Sequence, residues 1–162
     1  PDFAPLLDAG IHIEWNAGKP AIASDKPLKM HSIQPQPIGV VTLYPGISVD
    51  VIANILLQPV KALILLTYGV GNAPQNPAML ELLRDASARG VIIVNLSQCL
   101  RGKVNMGGYA TGNALADAGV LSGYDMTTEA ALAKLHFLLS QDLSAAEIRT
   151  LMQQDLRGEL SH

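Results

Sequence analysis

The stretch VKALILLTYGVGNAPQNPAMLELLRDASARGVIIVNL, residues 60–96, decides the fold. Its apolar runs, Val60 to Leu66 and Val91 to Leu96, show little polar alternation, so each reads as a strand covered on both faces. Between them Asn76 or Pro77 opens a helix, Met79, Leu82, Leu83 and Ala86 recur on one helical face, and Gly90 stops it. A strand, a crossover helix and a second buried strand make a parallel pair.

The alternation continues outward. On the N-terminal side Ile38 to Leu43 is a β-branched run, and Ser48 caps a helix through Leu57. On the C-terminal side Tyr109 to Ala118 is a short Ala-rich helix, and Val120 and Leu121 are enough for an edge strand only. Asp125 or Thr127 caps a further helix with Glu129 in its first turn and a stripe of Leu132, Leu135, His136 and Leu139. Ser144 and Glu147 have capping-box spacing ahead of Ile148, Leu151 and Met152, and this last helix is predicted to end near Arg157 and Gly158. The predicted fold is a small three-layer α/β/α domain, with a mostly parallel sheet of about four strands in a Rossmann-like topology. Ligands of such sheets collect at the C-terminal strand ends, so the loops after Leu43, Leu66 and Leu96 are where function is sought.

Residues 1–37 differ in texture, because six prolines and Gly10 and Gly18 leave room only for short elements at Phe3 to Ala9 and Ile11 to Trp15. They read as a connecting segment ahead of a domain over 38–162, with Trp15, His12 and His31 as surface or hinge packing. Pro1 follows no initiator Met and no signal-peptide pattern is present, so the chain is expected to be a piece of a longer one.

Of 162 residues 49% are hydrophobic and 15% charged, which suits one domain with a real core. A net charge of −3 with scattered Lys and Arg gives no footprint for nucleic acid. No apolar run approaches the ~20 residues of a membrane span. Cys99 is alone, so no intrachain disulfide forms and a reducing cytoplasm fits. The four histidines, at 12, 31, 136 and 162, lack ligand spacing, so no metal is expected.

Two loops carry the chemistry. Gly69 and Gly71 resemble a dinucleotide fingerprint, but Pro74 replaces the third glycine and the next strand ends at Asn95 instead of an acid. Asn72, with donors and an acceptor at a strand end, is either a substrate contact or the anchor of a local Asx-type turn. In the second loop, Ser97 or Cys99 with His136 as base would make a nucleophilic site. No Gly-x-Ser-x-Gly elbow or third orienting residue is present, and His136 lies on an apolar face, so a triad is not expected and Cys99 reads as a small buried residue.

Tyr-Gly-Val-Gly-Asn-Ala-Pro-Gln-Asn at 68–76, Gly-Lys-Val-Asn-Met-Gly-Gly-Tyr-Ala-Thr-Gly-Asn-Ala-Leu at 102–115, Asp-Met-Thr-Thr-Glu-Ala-Ala-Leu-Ala-Lys-Leu at 125–135 and Leu-Arg-Gly-Glu-Leu at 156–160 together resemble type I bacterial L-asparaginases, in the family's order. The resemblance covers nearly all of 35–160. It implies the C-terminal domain of a cytoplasmic amidohydrolase that converts L-asparagine to L-aspartate and ammonia without a cofactor. It also implies that the catalytic threonines lie in an N-terminal domain whose Thr-Gly-Gly-Thr-like and Thr-Asp segments are not in this sequence. Residues 1–37 would then be the end of that domain and the linker. In the family the C-terminal domain completes the active site of a neighbouring subunit, which implies a homo-oligomer, dimer or tetramer. By motif match Asn72, presented by Gly71, reaches the substrate's α-amino side; the acidic contact of secreted relatives is not located, and Tyr109 is the candidate in its place. Some members carry an effector site with an Arg and a Cys; Cys99 matches the Cys, while Leu66 stands where the Arg belongs, which argues against regulation. Two other functions compete. One is a free-standing amino-acid-binding or dimerisation module. The other is the related amidotransferase subunit that makes glutaminyl-tRNA, which the acidic balance does not favour.

Overall fold

The computed structural model describes residues 7–15, 27–107 and 110–161; the predicted contact Tyr109, the segment Phe3 to Leu6 and His162 lie outside them. Within the linker-like segment Leu7–Ala9 (β1) and Ile13–Trp15 (β2) form a short antiparallel hairpin. The domain then builds a four-stranded sheet from Ile38–Thr42 (β3), Ala62–Thr67 (β4), Ile92–Ser97 (β5) and Leu121–Ser122 (β6), all parallel and in chain order. Connecting helices are Val49–Ile55 (α1), Pro77–Ala88 (α2) and Ala110–Asp117 (α3); Thr128–Leu139 (α4) and Ala145–Met152 (α5) follow the last strand.

Crossovers of one hand in a sheet whose order never reverses put every connecting helix on the same face. The core divides accordingly. Leu63, Leu65 and Ile93 pack with Ile52 of α1, Met79 and Leu83 of α2 and Leu115 of α3. Their neighbours Ile64, Ile92, Val94 and Leu96 pack with Leu135 and Leu138 of α4 and Ile148 and Met152 of α5. The period of two in β4 and β5 thus serves two apolar layers, which is why these runs carry almost no polar residue.

Local chemistry sets the helix starts. Ser48, Asn76, Thr127 and Ser144 each accept a backbone N–H of the first turn; Pro77 follows Asn76 at the first helical position, and Ser144 with Glu147 completes a capping box. Two expectations are corrected. The most buried face of α4 is Ala131, Lys134, Leu135 and Leu138; of the expected stripe Leu135 lies on it, Leu132 and Leu139 are half-buried against the same core, and His136 is half-buried beside them. This helix is apolar nearly all round, so spacing could not orient it; Lys134 goes inward because its ammonium meets Glu159 at 2.6 Å and the Gln154 carbonyl. Residues 34–36 cover the other side, with the Gln36 N–H donating to His136 Nδ1 and the Gln34 N–H to the Ser140 hydroxyl. The last helix ends at Met152, short of Arg157: Gln153 and Gln154 close a tightened last turn on Thr150 and Leu151, and beyond it the Glu159 carboxylate accepts the N–H groups of Leu156 and Arg157.

Among the described residues no helix is long and apolar enough to cross a membrane.

Candidate functional site

The C-terminal strand ends are tied by one side chain. Gln98 donates its amide to the carbonyls of Leu43 at 2.7 Å and Leu66 at 2.9 Å, while its N–H donates to the Thr67 carbonyl. This joins β3, β4 and β5 where the two predicted functional loops emerge.

The first loop closes on itself through the main chain. Tyr68 donates its N–H to the Asn72 carbonyl at 2.9 Å, and Asn72 donates its N–H back to the Tyr68 carbonyl at 2.8 Å. The reversal needs φ of +52° at Gly69 and +104° at Gly71. All three intervening carbonyls are taken from outside the loop. Gly69 accepts from the Ser97 hydroxyl at 2.5 Å, Val70 from the Asn105 N–H at 2.9 Å, and Gly71 from the Asn95 side-chain amide at 3.0 Å. Asn95 also accepts from the Thr67 hydroxyl at 2.6 Å. Asn72 is partly exposed on this braced turn. The Tyr68 hydroxyl at its base is buried and has no hydrogen-bond partner among the described residues.

The nucleophile arrangement does not assemble. The Ser97 hydroxyl is committed to the Gly69 carbonyl and also accepts the Cys99 N–H, and His136 Nδ1 accepts from Gln36. Cys99 is exposed, not buried as its residue type suggested, because it lies in the loop beyond β5. It lines a cavity of about 460 Å3 with Leu66, Ser97, Gln98, Tyr124 and Glu129. Asn72 and Gly71 are not among its described lining residues. Among the described residues no Lys, Arg or His lines this cavity. At the start of α4 the Glu129 backbone N–H and the Thr127 hydroxyl hold the Glu129 carboxyl below its ordinary range. Among the described residues no group of three His, Cys, Asp or Glu could hold a metal ion.

Sequence reasoning missed Asn95 and Thr67 as parts of the site. The available signal was a polar residue within each otherwise apolar strand.

The architecture and site define an α/β/α domain whose strand-end loop is closed by its own main chain and braced by Asn95, Ser97 and Asn105. The chain belongs to the glutaminase/asparaginase C-terminal domain family, whose model matches residues 37–152. It is 63% identical over 161 residues to L-asparaginase 1 of Escherichia coli K12, covering 99% of this chain and 48% of that protein. It is 42% identical to the 60 kDa lysophospholipase of Homo sapiens, over 99% of this chain and 28% of that protein. The crystal structure of L-asparaginase I from Vibrio cholerae superposes with a TM-score of 0.95 at 65% identity, covering all of this chain and 49% of that one. The chain thus spans half or less of the length of these relatives.

Proposed function

We propose that the chain is the C-terminal half of an L-asparaginase, which hydrolyses L-asparagine to L-aspartate and ammonia, and that its part is to position substrate and assemble subunits. The observation that carries the reading is the braced loop. A hydrogen-bonding amide on a turn with every carbonyl held can orient a zwitterion at little entropic cost and does not itself attack a carbonyl. Asn72 is the substrate contact, Gly71 allows the loop to close, and Tyr109 is a second contact. The attacking residues belong to sequence outside this chain, in keeping with Ser97 and His136 being engaged elsewhere. Residues 1–37 serve as the end of that N-terminal domain and the linker, and 38–162 as the C-terminal domain. The assembly is a cytoplasmic homo-oligomer, dimer or tetramer, without a cofactor.

The effector site of some family members comes to this chain only through the match of Cys99, which lines the cavity beside Ser97 and Gln98. With Leu66 in it and no Lys, Arg or His among its described lining residues, this cavity lacks a bidentate partner for an amino acid's carboxylate, so the reading here is an enzyme without asparagine control through this site.

The test is Asn72→Ala in the complete polypeptide, with ammonia release followed against asparagine concentration. A loss of about tenfold or more in kcat/KM, carried mainly by KM, is expected for removal of a ground-state contact of this kind. Unchanged kinetics would refute the assignment of Asn72.

A further inference from the structure

Asn95 is an anomaly in the core. It is fully buried between Val94 and Leu96, themselves fully or almost fully buried, at a position where an aliphatic side chain would pack without a desolvation cost. Its amide is satisfied in one orientation only. The Thr67 hydroxyl, also fully buried, donates to Asn95 Oδ1 at 2.6 Å, and this leaves Nδ2 to donate to the Gly71 carbonyl at 3.0 Å. The flipped amide would set two oxygens against each other. There is also no slack: a Cβ on Gly71 would come within 3.1 Å of Asn95 Nδ2.

The bonded carbonyl belongs to the peptide unit that joins Gly71 to Asn72. Its other end, the Asn72 N–H, donates to the Tyr68 carbonyl at 2.8 Å. The plane that aims Asn72 is therefore held at both ends, and the Asn95 end is the buried one.

We propose that Asn95, supported by Thr67, is a positioning residue that sets substrate affinity by fixing the Gly71–Asn72 peptide plane. The inference rests on the reading of Asn72 as the substrate contact. With the carbonyl released the plane rotates about its remaining bond, and a displacement on the order of 1 Å at a positioning group costs up to about 100-fold in rate.

A double-mutant cycle on the complete polypeptide tests this, with ammonia release measured for Asn72→Ala, Asn95→Leu and the double variant. Asn95→Leu is expected to raise KM about tenfold with a smaller change in kcat, and to change kcat/KM less than about twofold once Asn72 is already Ala. Thr67→Val is expected to shift KM in the same direction, while Thr67→Ser, which keeps the hydroxyl, restores it. This Thr67 pair carries the test if Asn95→Leu does not fold. Wild-type KM in Asn95→Leu and Thr67→Val, or an Asn95→Leu penalty equally large in both backgrounds, would overturn the positioning role while leaving the Asn72 contact standing. No effect of Asn72→Ala itself would overturn the contact, and with it this inference.

Discussion

Replacing Gly71 by Ala brings two independent costs to one atom. At φ +104° an L residue pays roughly 1–3 kcal/mol of backbone strain. The added Cβ would also sit 2.7 Å from Val104 Cγ1 and 3.1 Å from Asn95 Nδ2. Val104 is only 3% exposed and cannot swing away, so overpacking adds roughly another 1–3 kcal/mol. Gly69→Ala is the control. Its φ is +52°, inside the left-handed region, and none of the described residues lies within 4 Å of a Cβ there, so a cost of only about 1 kcal/mol is expected. The difference, about 3 kcal/mol, corresponds to a midpoint about 6–12 °C lower for Gly71→Ala than for Gly69→Ala. Thermal unfolding of the two variants measures it. Adding Val104→Ala separates the two costs, because that change is destabilising alone but partly compensating beside Gly71→Ala. Equal midpoints for the two glycine variants, or strict additivity with Val104→Ala, would refute the close approach of Gly71 to the second loop.

Three further predictions concern other parts of the molecule. Burial opposes the charge on Glu159, but the Lys134 ammonium and the N–H groups of Leu156, Glu159 and Arg157 outweigh it and bring the pKa down from 4.5 to about 2. The ionised form is the stabilising one, so its contribution is complete above pH 4.5 and lost as pH falls toward 2. Glu159→Gln should cost about 3 kcal/mol at pH 7, and the gap to wild type should narrow over that acid range; a pH-independent gap in urea titrations contradicts the ion pair. Asn76→Ala leaves the N–H groups of Ala78 and Met79 without their acceptor and should cost about 1 kcal/mol in the same titrations; no loss there means that the cap is idle. Asparagine should not slow labelling of the exposed Cys99 by a thiol reagent, whereas Leu66→Arg should introduce protection; protection in the wild type would contradict the absence of counter-charge in that cavity.

What the sequence disclosed followed from how locally each feature is encoded. β4 and β5 were legible because burial on both faces leaves an unbroken apolar run, and Ser48, Asn76, Thr127 and Ser144 were legible because a cap and its helix are neighbours in sequence. The facing of α4 was not, since Lys134 turns inward for a carboxylate 25 residues away in the chain, at Glu159. The end of α5 was misplaced because no Gly or Pro marks Gln153, where the chain leaves the helix, and the carboxylate that orders the turn after it, Glu159, lies further along the chain. In the site, the Gly-x-Gly-Asn turn was visible as a motif, but the hydrogen bonds that brace it come from Asn95, Ser97 and Asn105, whose partners are set by strand register. The missing elbow and the apolar face of His136 already spoke against Ser97 as a nucleophile, but its actual partner, the Gly69 carbonyl, lies 28 residues away and was not legible.

The central claim is that this chain positions substrate and does not break the amide bond. Ammonia release from L-asparagine by the purified chain of 162 residues, beside the complete polypeptide at equal molar concentration, tests it most directly. Turnover is expected from the complete polypeptide and none from the chain alone. Turnover by the chain alone that is abolished by Ser97→Ala or Cys99→Ala would contradict it.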